Sequence, residues 1–360
     1  MKIAVVLGTR PEIIKMAPLI KIYKNNRADF FLLHTGQHYT YQMDKVFFDQ
    51  LELPHPQYNI DIGSSSQAEQ TGKMLIGIEK IFLKEKPAIA LVEGDTNSVL
   101  AGALAAAKLG IQVGHVEAGL RSYDRTMPEE LNRMLTDHLS DYLFAPTPKA
   151  KKILLCEGIN KNKVFVTGNT VVDAVFQNLE LAKKGKDVLK ALKLKPGQYF
   201  LVTLHRQENV DNPSRFDSIL RGLSQIVIDY NLPIVYPIHP RSRKMMDEFR
   251  LRPKNLTIIE PVDFLSFLQL ESSAKLILTD SGGVQEESCI LGVPCVTIRD
   301  NTERPETLEA GANILAGSSS ERIVECVGIM LKKKKKWPNP FGDGKAAERI
   351  VKIITEAGNG

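Results

Sequence analysis

Eleven short, aliphatic, β-rich runs alternate with helical patterns along the chain, and this alternation constrains the fold more than any other feature. The runs occupy residues 2–7, 30–34, 89–92, 112–116, 142–144 and 164–166 in the first half, and 199–204, 234–237, 256–259, 276–278 and 295–298 in the second. Strands that alternate with helices form βαβ units and a parallel sheet. The runs are apolar throughout, as expected of strands covered by helices on both faces. The series pauses after Gly168-Asn169-Thr170, and Lys183-Lys184-Gly185-Lys186 and Leu194-Lys195-Pro196-Gly197 precede the next strand. The pattern therefore predicts an α/β protein of two Rossmann-like, doubly wound domains facing a cleft. The first would span residues 1–169 and the second 170–344, with a last helix in 345–360 packing back on the first.

Composition narrows the function. With 360 residues, 43% of them hydrophobic, the chain has core enough for two domains. A net charge of +5 is too weak to argue for nucleic acid and suits an anionic small substrate. Cys156, Cys289, Cys295 and Cys326 lack zinc-type spacing and read as buried thiols in a reducing compartment. The opening apolar run is too short for a signal peptide, and no window is long enough to span a membrane. A cytoplasmic location follows as an expectation. The Lys332–Lys336 run closes a helical pattern, where lysines complement the helix dipole, and needs no lipid partner.

The run at 276–278 leads into Thr279-Asp280-Ser281-Gly282-Gly283-Val284-Gln285-Glu286-Glu287. Glycines allow a sharp turn and leave N–H groups facing outward at a helix N-terminus, which attracts anions. Two readings fit: a phosphate loop of Ser281, Gly282 and Gly283, or a plain strand-to-helix turn. Glu287 lies one helical turn further on, placed to accept hydrogen bonds from ribose hydroxyls. Glu286 is expected to face solvent.

The first run ends in Gly8-Thr9-Arg10-Pro11-Glu12. Thr9 or Arg10 would cap the helix, with Pro11 in its first turn. Arg10 and Lys15 are placed to reach a cleft, although Lys15 reads equally well as a surface lysine. No GxGxxG or GxxxxGK[ST] motif occurs. Glu93-Gly94-Asp95, His115-Val116-Glu117 and Met127-Pro128-Glu129-Glu130 lie at strand or helix ends. Asp95, Glu117 and Glu129 are expected to converge, and like charges held together push one pKa up and leave another carboxyl ionised. Acid–base catalysis needs that difference. The plainer alternative has Glu129 capping a helix and Arg121 pairing with Glu117. In the second half His205 and His239 follow successive strands. Arg299 adds positive charge for a diphosphate, and Phe267 either walls a base or packs in the core.

The stretches GTRPEIIKMAPL, VEGDTNSVLAG, GHVEAGLRS, PEELNR, VTGNTVVDA, TLHRQEN, YPIHP, LTDSGGVQEE, TERPE and NPFGDGKAAERI occur in this order over nearly the whole chain. Together they resemble the non-hydrolysing UDP-N-acetylglucosamine 2-epimerases. The resemblance implies two Rossmann-like domains as in GT-B glycosyltransferases, a homodimer, and interconversion of UDP-GlcNAc and UDP-ManNAc. The reaction would pass through anti elimination of UDP to 2-acetamidoglucal and re-addition, with cleft closure retaining the intermediate. Matched motif by motif, Asp95, Glu117 and Glu129 are the acid/base candidates, and His205 aids UDP departure. Arg10, Lys15 and Arg133 fall among substrate-binding residues, Ser281, Gly282 and Gly283 form the phosphate loop, and Glu287 binds ribose. Phe267 lies near uracil, and His239 and Arg304 line the cleft. Neither a metal nor a nicotinamide cofactor is implied. Bacterial members bind a second UDP-GlcNAc as activator. Here the corresponding stretches read Gln37-His38-Tyr39 and Ser64-Ser65-Ser66-Gln67, the second without the family's arginine. A sister group acting on UDP-diacetamido-uronic acids, a GT-B glycosyltransferase and a non-catalytic UDP-sugar binder share parts of this pattern.

Overall fold

The computed structural model describes residues 1–36, 41–333 and 336–358, the side chains of 41–44 excepted. The chain forms two compact units, Met1–Gln177 with Phe341–Gly360, and Asn178–Pro340. The division falls within helix Thr170–Lys184.

Among the described residues the first unit has seven parallel strands. They are β1 (Ile3–Leu7), β2 (Phe30–His34), β3 (Tyr58–Asn59), β4 (Ile89–Glu93), β5 (Gln112–Val116), β6 (Tyr142–Ala145) and β7 (Val164–Val166). Their order is β3-β2-β1-β4-β5-β6-β7. The second unit repeats the pattern with β8 (Phe200–Thr203), β9 (Ile234–Pro237), β10 (Leu256–Ile259), β11 (Leu276–Thr279), β12 (Cys295–Thr297) and β13 (Asn313–Leu315). Here the order is β10-β9-β8-β11-β12-β13. Every residue of β1, β4 and β11 is buried, which explains why these strands read as apolar runs up to the polar residue, Glu93 or Thr279, that ends β4 and β11. One face of the first sheet packs Val6, Leu33, Val92 and Val113 against Met74, Ile78 and Phe82 of helix Gln67–Glu85.

Strand order reverses beside β1 and β4 in one unit, and beside β8 and β11 in the other. In doubly wound sheets ligands collect outside the carboxyl ends of the strands at such a reversal. Sequence patterning finds eleven of these strands. It passes over β3, which has two residues, and β13, whose polar Asn313 begins a run of three.

The last helix, Ala346–Ala357, belongs to the first unit and packs on helix Arg10–Asn25. The Asp173 carboxylate accepts hydrogen bonds from the amides of Ala346 and Ala347 at 3.2 and 3.0 Å, satisfying two donors at the helix start. The helix before the lysine run ends at Lys332, and Lys334 and Lys335 lie outside the described residues. Of the four cysteines, Cys156 is exposed, because the last turn of helix Pro148–Cys156 faces water. That corrects the expectation of four buried thiols. Among the described residues no helix is long and apolar enough to cross a membrane.

Candidate active site

In the first unit the site is built at the ends of β1, β4 and β5. Thr9 precedes helix Arg10–Asn25, and Glu12 sits three residues on, the spacing of a capping box. The buried Glu12 carboxylate accepts from the Gly8 amide (2.7 Å), Thr9 Oγ1 (2.8 Å) and Thr96 Oγ1 (2.7 Å), tying β1 to β4. Burial outweighs these three donors and raises its pKa to about 7. One turn along the helix, Lys15 Nζ lies 2.6 Å from Glu117 Oε2 and 3.2 Å from Glu93 Oε1. Both carboxylates are buried, and Asn169 Nδ2 donates to Glu117 at 3.1 Å. Glu117 has φ of +70°, a left-handed conformation uncommon outside glycine. Burial pushes the Glu93 carboxyl well above the usual range. Lys15 opposes the shift, while Glu117 and Glu12 add to it.

Asp95 follows one residue past Gly94. Arg133 reaches it through Nε (3.0 Å) and Nη2 (2.7 Å) and reaches Glu130 through Nη1 (2.6 Å). Asn132 donates to the Asp95 carbonyl (2.9 Å) and to Asn97 (3.1 Å), and Asn97 donates to Gln67 (2.7 Å). Helix Pro128–Leu139 thus buries a polar face of Glu130, Asn132, Arg133, Thr136 and Asp137, while Leu131 and Leu135 are exposed. Glu129 is exposed in the first turn and makes no hydrogen bond or ion pair among the described residues. Its neighbour Glu130 is the buried carboxylate. Burial disfavours its charge, but the amides of Ser122 and Tyr123 and the Arg133 guanidinium hold its pKa below the usual range. Arg121 pairs with Asp137 (2.7 Å) and Glu157 (2.6 Å), and Glu117 takes Lys15 as its cation. Arg10 lies over the Phe47 ring, 4.9 Å from its centroid. Gln37, His38 and Tyr39 fall outside the described residues. Ser66 accepts from the Glu69 amide and caps helix Gln67–Glu85.

In the second unit β8 and β11 are paired, with Thr203 beside Thr279. Asp280, the first residue past β11, is fully buried. Its carboxylate accepts from the amides of His205 and Arg206, each at 3.0 Å, and from Asn209 Nδ2 at 3.2 Å. His205 Nδ1 lies 3.1 Å from Asp280 Oδ1, with the His205 side chain 40% exposed. The His239 ring is 5.6 Å from that of His205, centroid to centroid. His239 Nδ1 accepts from the Arg241 amide at 3.2 Å and caps the next helix. Burial, then the neighbouring His205, lowers the His239 pKa.

Ser281 is the N-cap of helix Gly282–Leu291. A Cβ on Gly282 would lie 2.6 Å from Glu303 Oε1, whereas one on Gly283 would meet only Ser281 Oγ, at 4.0 Å. Glu303 accepts from Arg206 (3.0 Å) and Arg299 (2.7 Å). Burial opposes its ionisation, but Arg299, Arg206 and Arg304 prevail and hold its pKa at about 2. Three guanidinium groups therefore gather beside the glycine turn. Glu286 does not face solvent: it is buried and pairs with Arg304 at 2.9 Å. The helix packs that side inward, leaving Glu287 half-buried. Glu287 stands beside the fully buried Glu271, whose carboxyl burial and this neighbour raise well above the usual range. Phe267 packs against the core cluster around Tyr199, Leu201 and Leu270.

Comparison with known proteins identifies this arrangement. The family model for UDP-N-acetylglucosamine 2-epimerase matches residues 20–355. The chain belongs to the UDP-N-acetylglucosamine 2-epimerase family. It is 58% identical to the UDP-N-acetylglucosamine 2-epimerase of Methanocaldococcus jannaschii, with 99% of each chain covered. The crystal structure of that enzyme with UDP-GlcNAc and UDP superposes with a TM-score of 0.88 at 58% identity, covering 99% of this chain and 100% of that one. The UDP-2,3-diacetamido-2,3-dideoxy-D-glucuronate 2-epimerase of Pseudomonas aeruginosa is 41% identical over 99% of this chain and 100% of its own. The epimerase-family fold of two doubly wound parallel units is thus the one that the strand alternation predicts.

Within this family member the carboxylates that sequence reading passes over are as telling as those it names. Glu12, Glu93, Glu130 and Asp280 are buried; Glu12, Glu130 and Asp280 have several donors each, and Glu93 faces Lys15. The Thr9-x-x-Glu12 spacing was a usable signal for the first. Glu130 and Asp280 gave none, because adjacent acidic residues and a polar residue before a turn are commonplace on solvated surfaces.

Proposed function

We propose that this protein interconverts UDP-GlcNAc and UDP-ManNAc by anti elimination of UDP to 2-acetamidoglucal and re-addition. The observation that carries the reading is the pairing of Lys15 with the buried Glu117 at the end of β5, in a chain 58% identical over 99% of its length to a UDP-GlcNAc 2-epimerase. The C2 hydrogen has no neighbouring carbonyl, so a free carbanion is too costly. Loss of UDP from C1 as the proton leaves C2 avoids it. Such a route needs a carboxylate base, an acid for re-addition, and charge stabilisation for the diphosphate. Asp95, Glu117 and Glu129 are the acid/base candidates, with Arg10, Lys15 and Arg133 holding the sugar diphosphate. His205 assists the departure of UDP, and His239 and Arg304 stand near it. Ser281, Gly282 and Gly283 take phosphate, Glu287 the ribose, and Phe267 the uracil.

The reading is tested by comparing kcat/KM for UDP-GlcNAc and UDP-2,3-diacetamido-glucuronate. We expect UDP-GlcNAc to be preferred. Preference for the uronate would move the chain to the activity named for the relative at 41% identity.

The glycine turn supplies a sharper test. Gly283→Ala meets no obstacle in the protein, so stability should hold. If backbone amides there receive the diphosphate, the added methyl group weakens UDP binding by about tenfold or more, or about 1.4 kcal/mol. Unchanged UDP affinity would reduce the stretch to a plain turn.

A second copy of the chain is the partner we propose. The buried polar face of helix Pro128–Leu139 leaves Leu131 and Leu135 exposed, as are Ile76 and Leu83 on helix Gln67–Glu85. Sedimentation at twice the chain mass supports a homodimer, and sedimentation as a single chain removes it.

A further inference from the structure

The reversal of strand order between β8 and β11 carries one more device. Asp280 is fully buried at the end of β11, yet among the described residues its donors come from the segment after β8: the amides of His205 and Arg206, Asn209 Nδ2 and His205 Nδ1. The carboxylate therefore fixes both the backbone that carries His205 and one nitrogen of its ring. Burial opposes ionisation of Asp280, but these donors, led by His205, hold its pKa below the usual range. The other charged or titratable groups around the ring are His239, Arg206 and, through His239, Arg241. Arg206 is paired with Glu303 and Arg241 with Asp211. Among the described residues Asp280 is thus the carboxylate in contact with the imidazole.

We propose that Asp280 is a positioning residue for the reaction above, holding His205 with Nδ1 turned inward and Nε2 presented to the leaving UDP. The inference rests on the proposed role of His205. In the elimination, a carboxylate base takes the C2 proton and the C2–H electron pair becomes the second C1–C2 bond. The C1–O pair leaves on the β-phosphate oxygen, to which protonated His205 gives the Nε2 proton. Re-addition returns that proton to Nε2 as the C1–O bond re-forms, and C2 is protonated on the opposite face. Asp280 stays a carboxylate throughout and stabilises the imidazolium.

The test uses the full chain with Asp280→Asn and His205→Gln. Asp280→Asn keeps the side chain's shape and loses its charge. We expect kcat to fall by about a hundredfold or more, with UDP affinity unchanged. The alkaline limb of the kcat–pH profile should move to lower pH, because an imidazolium without its anionic partner loses its proton more readily. A purely structural role would not move that limb. Wild-type turnover in His205→Gln would overturn the reading of His205 itself. An inactive His205→Gln beside an Asp280→Asn of normal kcat and unshifted limb would overturn the role of Asp280 alone. Should Asp280→Asn fail to fold, ¹⁵N-histidine NMR of the wild-type chain decides: the proposal requires the neutral His205 ring to carry its proton on Nδ1, and a proton on Nε2 contradicts it.

Discussion

Glu117→Gln is expected to lower turnover by about 10²–10⁴-fold while leaving UDP affinity at the wild-type level. The amide keeps the shape of the side chain and an acceptor for Asn169, but it cannot take a proton from carbon, and Lys15 loses its nearer anion. Asp95→Asn should fall in the same range, since it also weakens the two-point contact with Arg133. Single-turnover measurements with UDP-GlcNAc, together with calorimetric titration of UDP, separate chemistry from binding. Wild-type turnover in both variants would remove the catalytic assignment. A loss confined to UDP affinity would make these carboxylates binding groups instead.

The largest stability effect is expected at Asp137, which has no proposed part in the chemistry. Its carboxylate is buried, 2.7 Å from both His115 Nδ1 and Arg121 Nη2, and accepts from the Gly119 amide at 3.2 Å. His115 Nε2 also contacts the Gly94 carbonyl at 2.8 Å, so the network braces the loops that carry Asp95 and Glu117. Asp137→Ala leaves a buried guanidinium short of one partner and should cost about 3–5 kcal/mol, read from denaturant unfolding against wild type. The pH dependence follows. Burial disfavours the Asp137 charge, but His115 and Arg121 outweigh it, so its folded pKa lies below the unfolded value. The stabilisation is fully present above the unfolded pKa of about 3.9 and is lost as pH falls through the folded pKa. Wild type should therefore lose stability below about pH 4 more steeply than the variant. Parallel curves would show that Asp137 carries no such linkage.

The fold was legible wherever a strand is buried on both faces. β1, β4 and β11 show this well, because complete burial writes an apolar run into the sequence. β3 and β13 were not legible, since two or three residues with polar members leave no period to read. Of the candidate site, the strand-end positions and the glycine turn that opens helix Gly282–Leu291 were legible. Its inner layer was not. Helix Pro128–Leu139 turns Glu130 inward and Leu131 outward, opposite to ordinary amphipathic patterning. Glu286 fails for the same reason: solvent is the default for a glutamate until Arg304, eighteen positions away in sequence, is seen to be its partner. Partners remote in sequence, such as Lys15 and Glu117 or His205 and Asp280, are set by the topology of the sheet and appear only once the strands are ordered.

The most direct measurement is incubation of the full chain with UDP-GlcNAc in D2O, with chelator present, followed by proton NMR. We expect UDP-ManNAc carrying deuterium at C2, formed without added metal. UDP-ManNAc that retains the original C2 hydrogen, or no UDP-ManNAc at all, would contradict it.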